Sequence, residues 1–180
     1  MLSDGRTPSD ESRLTGLGLA GAIAAVSFGT LAGAWVFQWA GYPPCELCLK
    51  GRVPHYAGIP LALVVAWLAE RGRSALLPAG FLALTLIYAA GTLFALYHAG
   101  VEWHFWAGPA SCTGSYAAAE KVGDFLQQLQ RANVVRCDAP ALKVLGLSLA
   151  AWNMLICLAL TVLAGRGLSR ALRGRASTLA

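Results

Sequence analysis

Apolar residues gather in four long runs along the chain, and polar residues gather in the joints between them. The first run extends from Leu14 to about Ala40 without a charged residue, the second from about Val53 to Ala69, the third from Ser74 to about Ala99, and the fourth from Val144 to Ala164. None alternates as a barrel strand does, and backbone groups in lipid must be satisfied within the element, so each run predicts a helix. About 20 helical residues, rising about 1.5 Å each, cross a hydrocarbon layer about 30 Å thick. The first, third and fourth runs reach that length unaided. The second contains Pro54 and Pro60 and reaches it when its helix starts near Leu47, which leaves Lys50 and Arg52 close to the interface. The expected architecture is an all-α integral membrane four-helix bundle, one membrane domain over residues 1–180. Transmembrane helices are expected at about 14–40, 47–69, 74–99 and 144–165, a short loop at about 41–47, a long loop at about 100–143, and tails at 1–13 and 166–180. The first run is far longer than the 7–15 apolar residues of a signal peptide, so it is expected to be retained.

Composition agrees. The 180 residues are 57% hydrophobic and 13% charged, with mean hydropathy +0.56. Soluble domains carry about 25% charged residues, and this chain has too few to cover a solvated surface. The net charge of +5 does not point to nucleic acid, because no module presents the basic residues as a face. They mark topology instead. Arg6 and Arg13 precede the first run, Arg71 and Arg73 join the second to the third, and Arg166, Arg170, Arg173 and Arg175 follow the fourth. Positive residues in short flanks stay in the cytoplasm. Both termini are therefore expected there, with the two remaining loops on the opposite side.

In the long loop, Trp103 and Trp106 read as interfacial anchors. Val122, Phe125, Leu126 and Leu129 fall at i, i+3, i+4 and i+7 and predict a short amphipathic helix. In the first run, Gly29 and Gly33 form a GxxxG pair, expected to let helices pack closely within the bundle.

The cysteines add chemistry. Cys45 and Cys48 form a CxxC in the short loop, Cys112 and Cys137 lie in the long loop, and Cys157 lies inside the fourth run, where a small apolar packing role is expected. Haem attachment needs CxxCH, and Leu49 follows Cys48. A zinc site would need two further ligands, and Cys112, Cys137, His98 and His104 offer no second tight pair; no metal is expected. Disulfides persist in a periplasm, and four outer cysteines allow three connectivities. A CxxC is close enough to bridge itself, which would leave Cys112 for Cys137. Two inert structural bridges stay open as a reading, but CxxC thiols tend to be acidic and such a small ring suits exchange better than bracing. In a helix from Leu47, Arg52 sits one turn beyond Cys48, with His55 and Tyr56 on or beside that face. Arg52 could stabilise a Cys48 thiolate, hold a ligand oxygen, or simply snorkel to the interface. His98 falls at similar depth in the third helix. Electrons leaving a membrane dithiol need an acceptor, and the chain has no flavin or nucleotide fingerprint. A lipid-soluble quinone, ubiquinone or menaquinone, requires only an apolar cleft with a few polar groups.

These residues resemble a known family. Trp39 to Arg52, with Pro44-Cys45-x-x-Cys48-x-x-x-Arg52 at its core, is similar to the first outer loop of the bacterial disulfide-bond formation protein B (DsbB) family. Tyr97 to Trp103, Pro109 to Gly114 and Arg136 to Pro140 are similar to its second outer loop, and Leu145 to Ser148 with Trp152-Asn153 to the start of its fourth helix. The resemblance implies a protein-thiol:quinone oxidoreductase. A periplasmic thioredoxin-like thiol oxidase, resembling DsbA, would attack the Cys112–Cys137 disulfide at Cys112. Cys137 would then attack Cys45, releasing Cys48 as a thiolate beside the quinone, with Arg52 and His98 lining the quinone site; His55 joins that set by its position on or beside the Arg52 face. Gly51 stands where family members often carry a larger polar residue, and Pro54 follows closely. Two other readings remain: a paralogous oxidase dedicated to one substrate, and a non-catalytic membrane adaptor with structural disulfides.

Overall fold

The computed structural model describes residues 8–109, 112 and 136–179. The chain forms α1 (Pro8–Trp39), α2 (Glu46–Lys50), α3 (Val53–Glu70), α4 (Leu77–Glu102), β1 (Lys143–Val144), β2 (Leu147–Ser148) and α5 (Leu149–Leu179). Four stretches, Leu14–Trp39, Glu46–Glu70, Leu77–Glu102 and Leu149–Ala176, are long and apolar enough to cross a membrane. The protein is a four-helix membrane bundle.

Local chemistry sets the helix ends. After α1 the chain turns at Gly41, whose φ of 95° suits glycine. Pro43 and Pro44 then bar any continuation of the helix. Pro54 and Pro78 sit in the first turns of α3 and α4, where a missing N–H leaves no bond unmade. Before α5, β1 and β2 form a tight antiparallel hairpin that pairs Lys143 with Ser148 and Val144 with Leu147. Leu145 and Gly146 make its turn with φ of 52° and 83°, the left-handed pair that hairpins favour. The Ser148 hydroxyl then accepts the Ala151 N–H at 3.1 Å and caps α5.

The helices differ from the expected spans at their ends. Helix two is broken: α2 ends at Lys50, and α3 begins at Val53. The fourth helix starts at Leu149 rather than 144, because the hairpin occupies 143–148, and it runs on to Leu179 through the expected tail. The third is shifted, from Leu77 to Glu102. Charged residues near the ends do not stop these helices, since their side chains reach water while the backbone stays helical. The amphipathic helix expected at 122–129 lies outside the described residues.

The four long helices pack as a ring, α1 on α3, α3 on α4, α4 on α5 and α5 on α1. Inside lie Ile23, Phe81, Leu84, Tyr88, Cys157 and Leu160. Outward, Phe28, Trp67, Leu86 and Leu93 are exposed, as lipid-facing residues should be. Apolar burial drives little association in lipid, so close packing and a few hydrogen bonds must hold the ring. A side chain at Gly58 would collide with the Tyr88 ring, so glycine there lets α4 approach α3. The Tyr88 hydroxyl in turn hydrogen-bonds Ser27 of α1 at 2.5 Å. Gly29 and Gly33 do not make the expected close helix contact: a Cβ on either would meet nothing within 4 Å. They open space along a cleft instead.

Candidate redox site

Cys45 is the N-cap of α2, and its sulfur accepts the Cys48 N–H at 3.2 Å. One helical turn brings the two sulfurs to 2.8 Å as unbridged thiols. His98, from the last turns of α4, places Nε2 3.6 Å from Cys45 Sγ. The hydrogen bond with Cys48, and after it that with His98, holds the Cys45 thiol at about 4, far below the ordinary thiol range, although burial pushes the other way. The Glu102 carboxylate, one turn beyond His98 on the same helix face, lies 3.9 Å from Nε2.

Cys112 and Cys137 are joined in a disulfide, with their Cα atoms 5.3 Å apart. Both are buried, and they pack in one cluster with Cys45, Leu47 and Val101, with Cys48 and Phe94 against it. Two sulfur pairs from separate loops thus share one small core. Next to Cys137, Arg136 donates to the Asp138 carboxylate at 2.9 and 2.6 Å, a local pair that brackets the cysteine.

Cys48, Arg52, His55 and His98 all line one cleft of about 310 Å³ between α1, α2, α3, α4 and α5. The rest of its wall is mostly apolar, including Gly29, Gly33, Phe37, Pro44, Trp152 and Ile156. The break after α2 puts Arg52 at the mouth, where Nη1 donates to Gln38 Oε1 at 3.0 Å. His55 is 1% exposed. Its Nε2–H donates to Asn153 Oδ1 at 3.0 Å, and its Nδ1 is buried without a partner among the described residues. Asn153 Nδ2 also reaches the Gly51 carbonyl at 3.4 Å, and a Cβ on residue 51 would stand 3.3 Å from that nitrogen. Glycine at 51 therefore lets α5 close on the helix break. Cys157 packs in the core with its sulfur 3.7 Å from His55 Nε2.

All seven residues expected at the site are described, and they fall in one connected region. Gln38 and Glu102 were not singled out from sequence. Their signals were present: a lone polar residue late in an apolar run, and an acid four residues after His98.

A four-helix membrane protein that packs a close pair of thiols against a disulfide has the sulfur arrangement of the thiol–disulfide oxidoreductase class. Comparison with known proteins specifies it further. The model of the family described as disulfide bond formation protein DsbB matches residues 17–166. The chain is 33% identical over 153 residues to disulfide bond formation protein B of Cupriavidus necator, covering 82% of this chain and 89% of that protein. It is 31% identical over 157 residues to the protein of the same name from Cupriavidus pinatubonensis, with the same coverages of 82% and 89%. No solved structure matches the chain significantly. The chain belongs to the DsbB family, and is a membrane disulfide bond formation protein.

Proposed function

We propose that the protein reoxidises a periplasmic, thioredoxin-like thiol oxidase of the DsbA kind and passes the electrons through its two cysteine pairs to a membrane quinone. The observation that carries this reading is the shared core of Cys45, Cys112 and Cys137, with Cys48 facing the cleft. The arginines of both tails and of the joint at 71–73 support an orientation with both termini cytoplasmic and the cysteine loops in the periplasm of a bacterial inner membrane.

The steps balance in sulfur and electrons. A partner thiolate attacks Cys112, forming a mixed disulfide and freeing Cys137. The partner's second thiol resolves that link and leaves as a disulfide. Cys137 attacks Cys45 of an oxidised Cys45–Cys48 bridge, and Cys48 departs. Acidity alone would favour Cys45 as the leaving sulfur. Position favours the reverse, since Cys45 packs with the second pair and Cys48 opens on the cleft. Cys112 then attacks the Cys137 sulfur of that link and Cys45 departs, which restores the Cys112–Cys137 bridge and leaves a Cys45/Cys48 dithiol.

The cleft fits a quinone: it is mostly apolar, Cys48 lines it, and the buried His55 Nδ1 has no partner among the described residues. A quinone supplies a two-electron, two-proton acceptor there, so that the dithiol returns to a disulfide. Arg52 holds a ligand oxygen by charge at the mouth. His98 stabilises the Cys45 thiolate. His55, oriented by Asn153, offers Nδ1 as a proton acceptor inside the cleft.

The test is purified protein in detergent with a reduced CxxC partner and a ubiquinone analogue, followed by quinone absorbance. One quinone reduced per partner disulfide formed is expected. No reduction above background would favour a membrane adaptor with bracing disulfides.

A further inference from the structure

The ligand atoms of Cys45, Cys48 and His98 lie within 4.8 Å of one another. Beside them, the second carboxylate oxygen of Glu102 is buried with no hydrogen-bond partner among the described residues. We propose that the dithiol form of this cluster binds one thiophilic divalent cation of the Zn2+ kind through Cys45, Cys48, His98 and Glu102, and that closing the Cys45–Cys48 disulfide expels it.

The donor set is two sulfurs, one imidazole nitrogen and one carboxylate oxygen, all common zinc ligands. With Zn–S near 2.3 Å and Zn–N near 2.0–2.1 Å, a tetrahedral site separates sulfur from nitrogen by about 3.6 Å. The Cys45 Sγ to His98 Nε2 distance is already 3.6 Å. The two sulfurs, now 2.8 Å apart, must part to about 3.8 Å. Cys48 is only partly buried, so rotation of its side chain can supply that ångström. Cys45 and His98 are each 4% exposed, so water competes poorly for the ion. Glu102 is the last residue of α4, one turn beyond His98, and its buried second oxygen, without a partner among the described residues, would gain one in the ion.

Gating follows from ligand chemistry. A cation needs thiolates, and a disulfide has none to offer. The ion would therefore bind after the dithiol has formed and before it is reoxidised. While bound, it occupies the sulfur lone pairs needed for both exchange and reoxidation. The site acts as a reversible brake on turnover, and no electron passes to or from the ion.

The experiment uses the full chain in detergent carrying Cys112→Ser and Cys137→Ser, so that the second pair contributes no ligand. Zn2+ is titrated calorimetrically, and Co2+ serves as the optical probe. The reduced form should take up one ion per chain, with tetrahedral Co2+ absorption and sulfur-to-metal charge transfer. The same chain with the Cys45–Cys48 disulfide closed should bind at least about 100-fold more weakly, a comparison within one folded protein. His98→Ala and Glu102→Gln should each weaken the reduced site by about tenfold or more. Equal uptake by the two redox forms, no uptake by the dithiol, or unchanged affinity in His98→Ala overturns the proposal. If uptake is absent while the unsubstituted protein still reduces quinone, this inference alone fails and the oxidase reading stands.

Discussion

Single side chains divide the labour among sulfurs. Cys45 is held near a pKa of about 4 by its bond with Cys48 and by His98, so its thiolate persists at every pH above that value. Alkylation of Cys45 in the reduced pair, followed by peptide mass spectrometry, should therefore stay near its plateau from about pH 8 down to about pH 5. A rate that falls tenfold per unit below about pH 8 would mean an ordinary thiol. Cys48→Ser should abolish quinone reduction while leaving Cys112 and Cys137 able to form their bridge with another oxidant. Arg52→Gln should raise the apparent KM for quinone several-fold; unchanged rate and KM would return Arg52 to an interfacial role shared only with Gln38. Cys157→Ala should leave turnover intact, since its sulfur packs in the core below the cleft.

At the scale of elements, the apolar runs named every spanning helix, because length and the absence of charge are local properties. What escaped was decided by contacts between distant residues. At the break around Gly51–Arg52, Pro54 has no N–H to offer the Lys50 carbonyl, and α5 brings Asn153 to 3.4 Å from the Gly51 carbonyl, 102 positions away in sequence. The hairpin before α5 was hidden because Val144, Leu145 and Leu147 read as a continuation of the apolar run. The GxxxG pair drew attention to the wrong glycines: close approaches fall at Gly58, Gly80 and Gly167, where a Cβ would strike Tyr88, Val65 and Phe81. Gly58→Ala forces a methyl into the Tyr88 ring and should lower stability in detergent by roughly 1–3 kcal/mol, read by thermal unfolding. Adding Tyr88→Phe should recover only part of that loss, because the hydroxyl is removed but the ring remains and Ser27 loses its partner. Full additivity of the two changes would mean that the contact is not shared.

Across the whole molecule, the bundle places two sulfur pairs on a route from a loop core to a lipid-accessible cleft. The cysteines, Arg52, His55 and His98 were legible in the sequence, because their residue types and spacings carry chemistry on their own. Glu102 and Gln38 were not, because their roles depend on what they face. The long-range claim is that Cys137 can reach Cys45. Its most direct test is the Cys48→Ser/Cys112→Ser double variant, exposed to a mild oxidant in membranes and mapped by mass spectrometry. The account predicts a Cys45–Cys137 crosslink within one chain in most of the protein. Two free, fully alkylatable thiols at 45 and 137, or links only between separate chains, would contradict it.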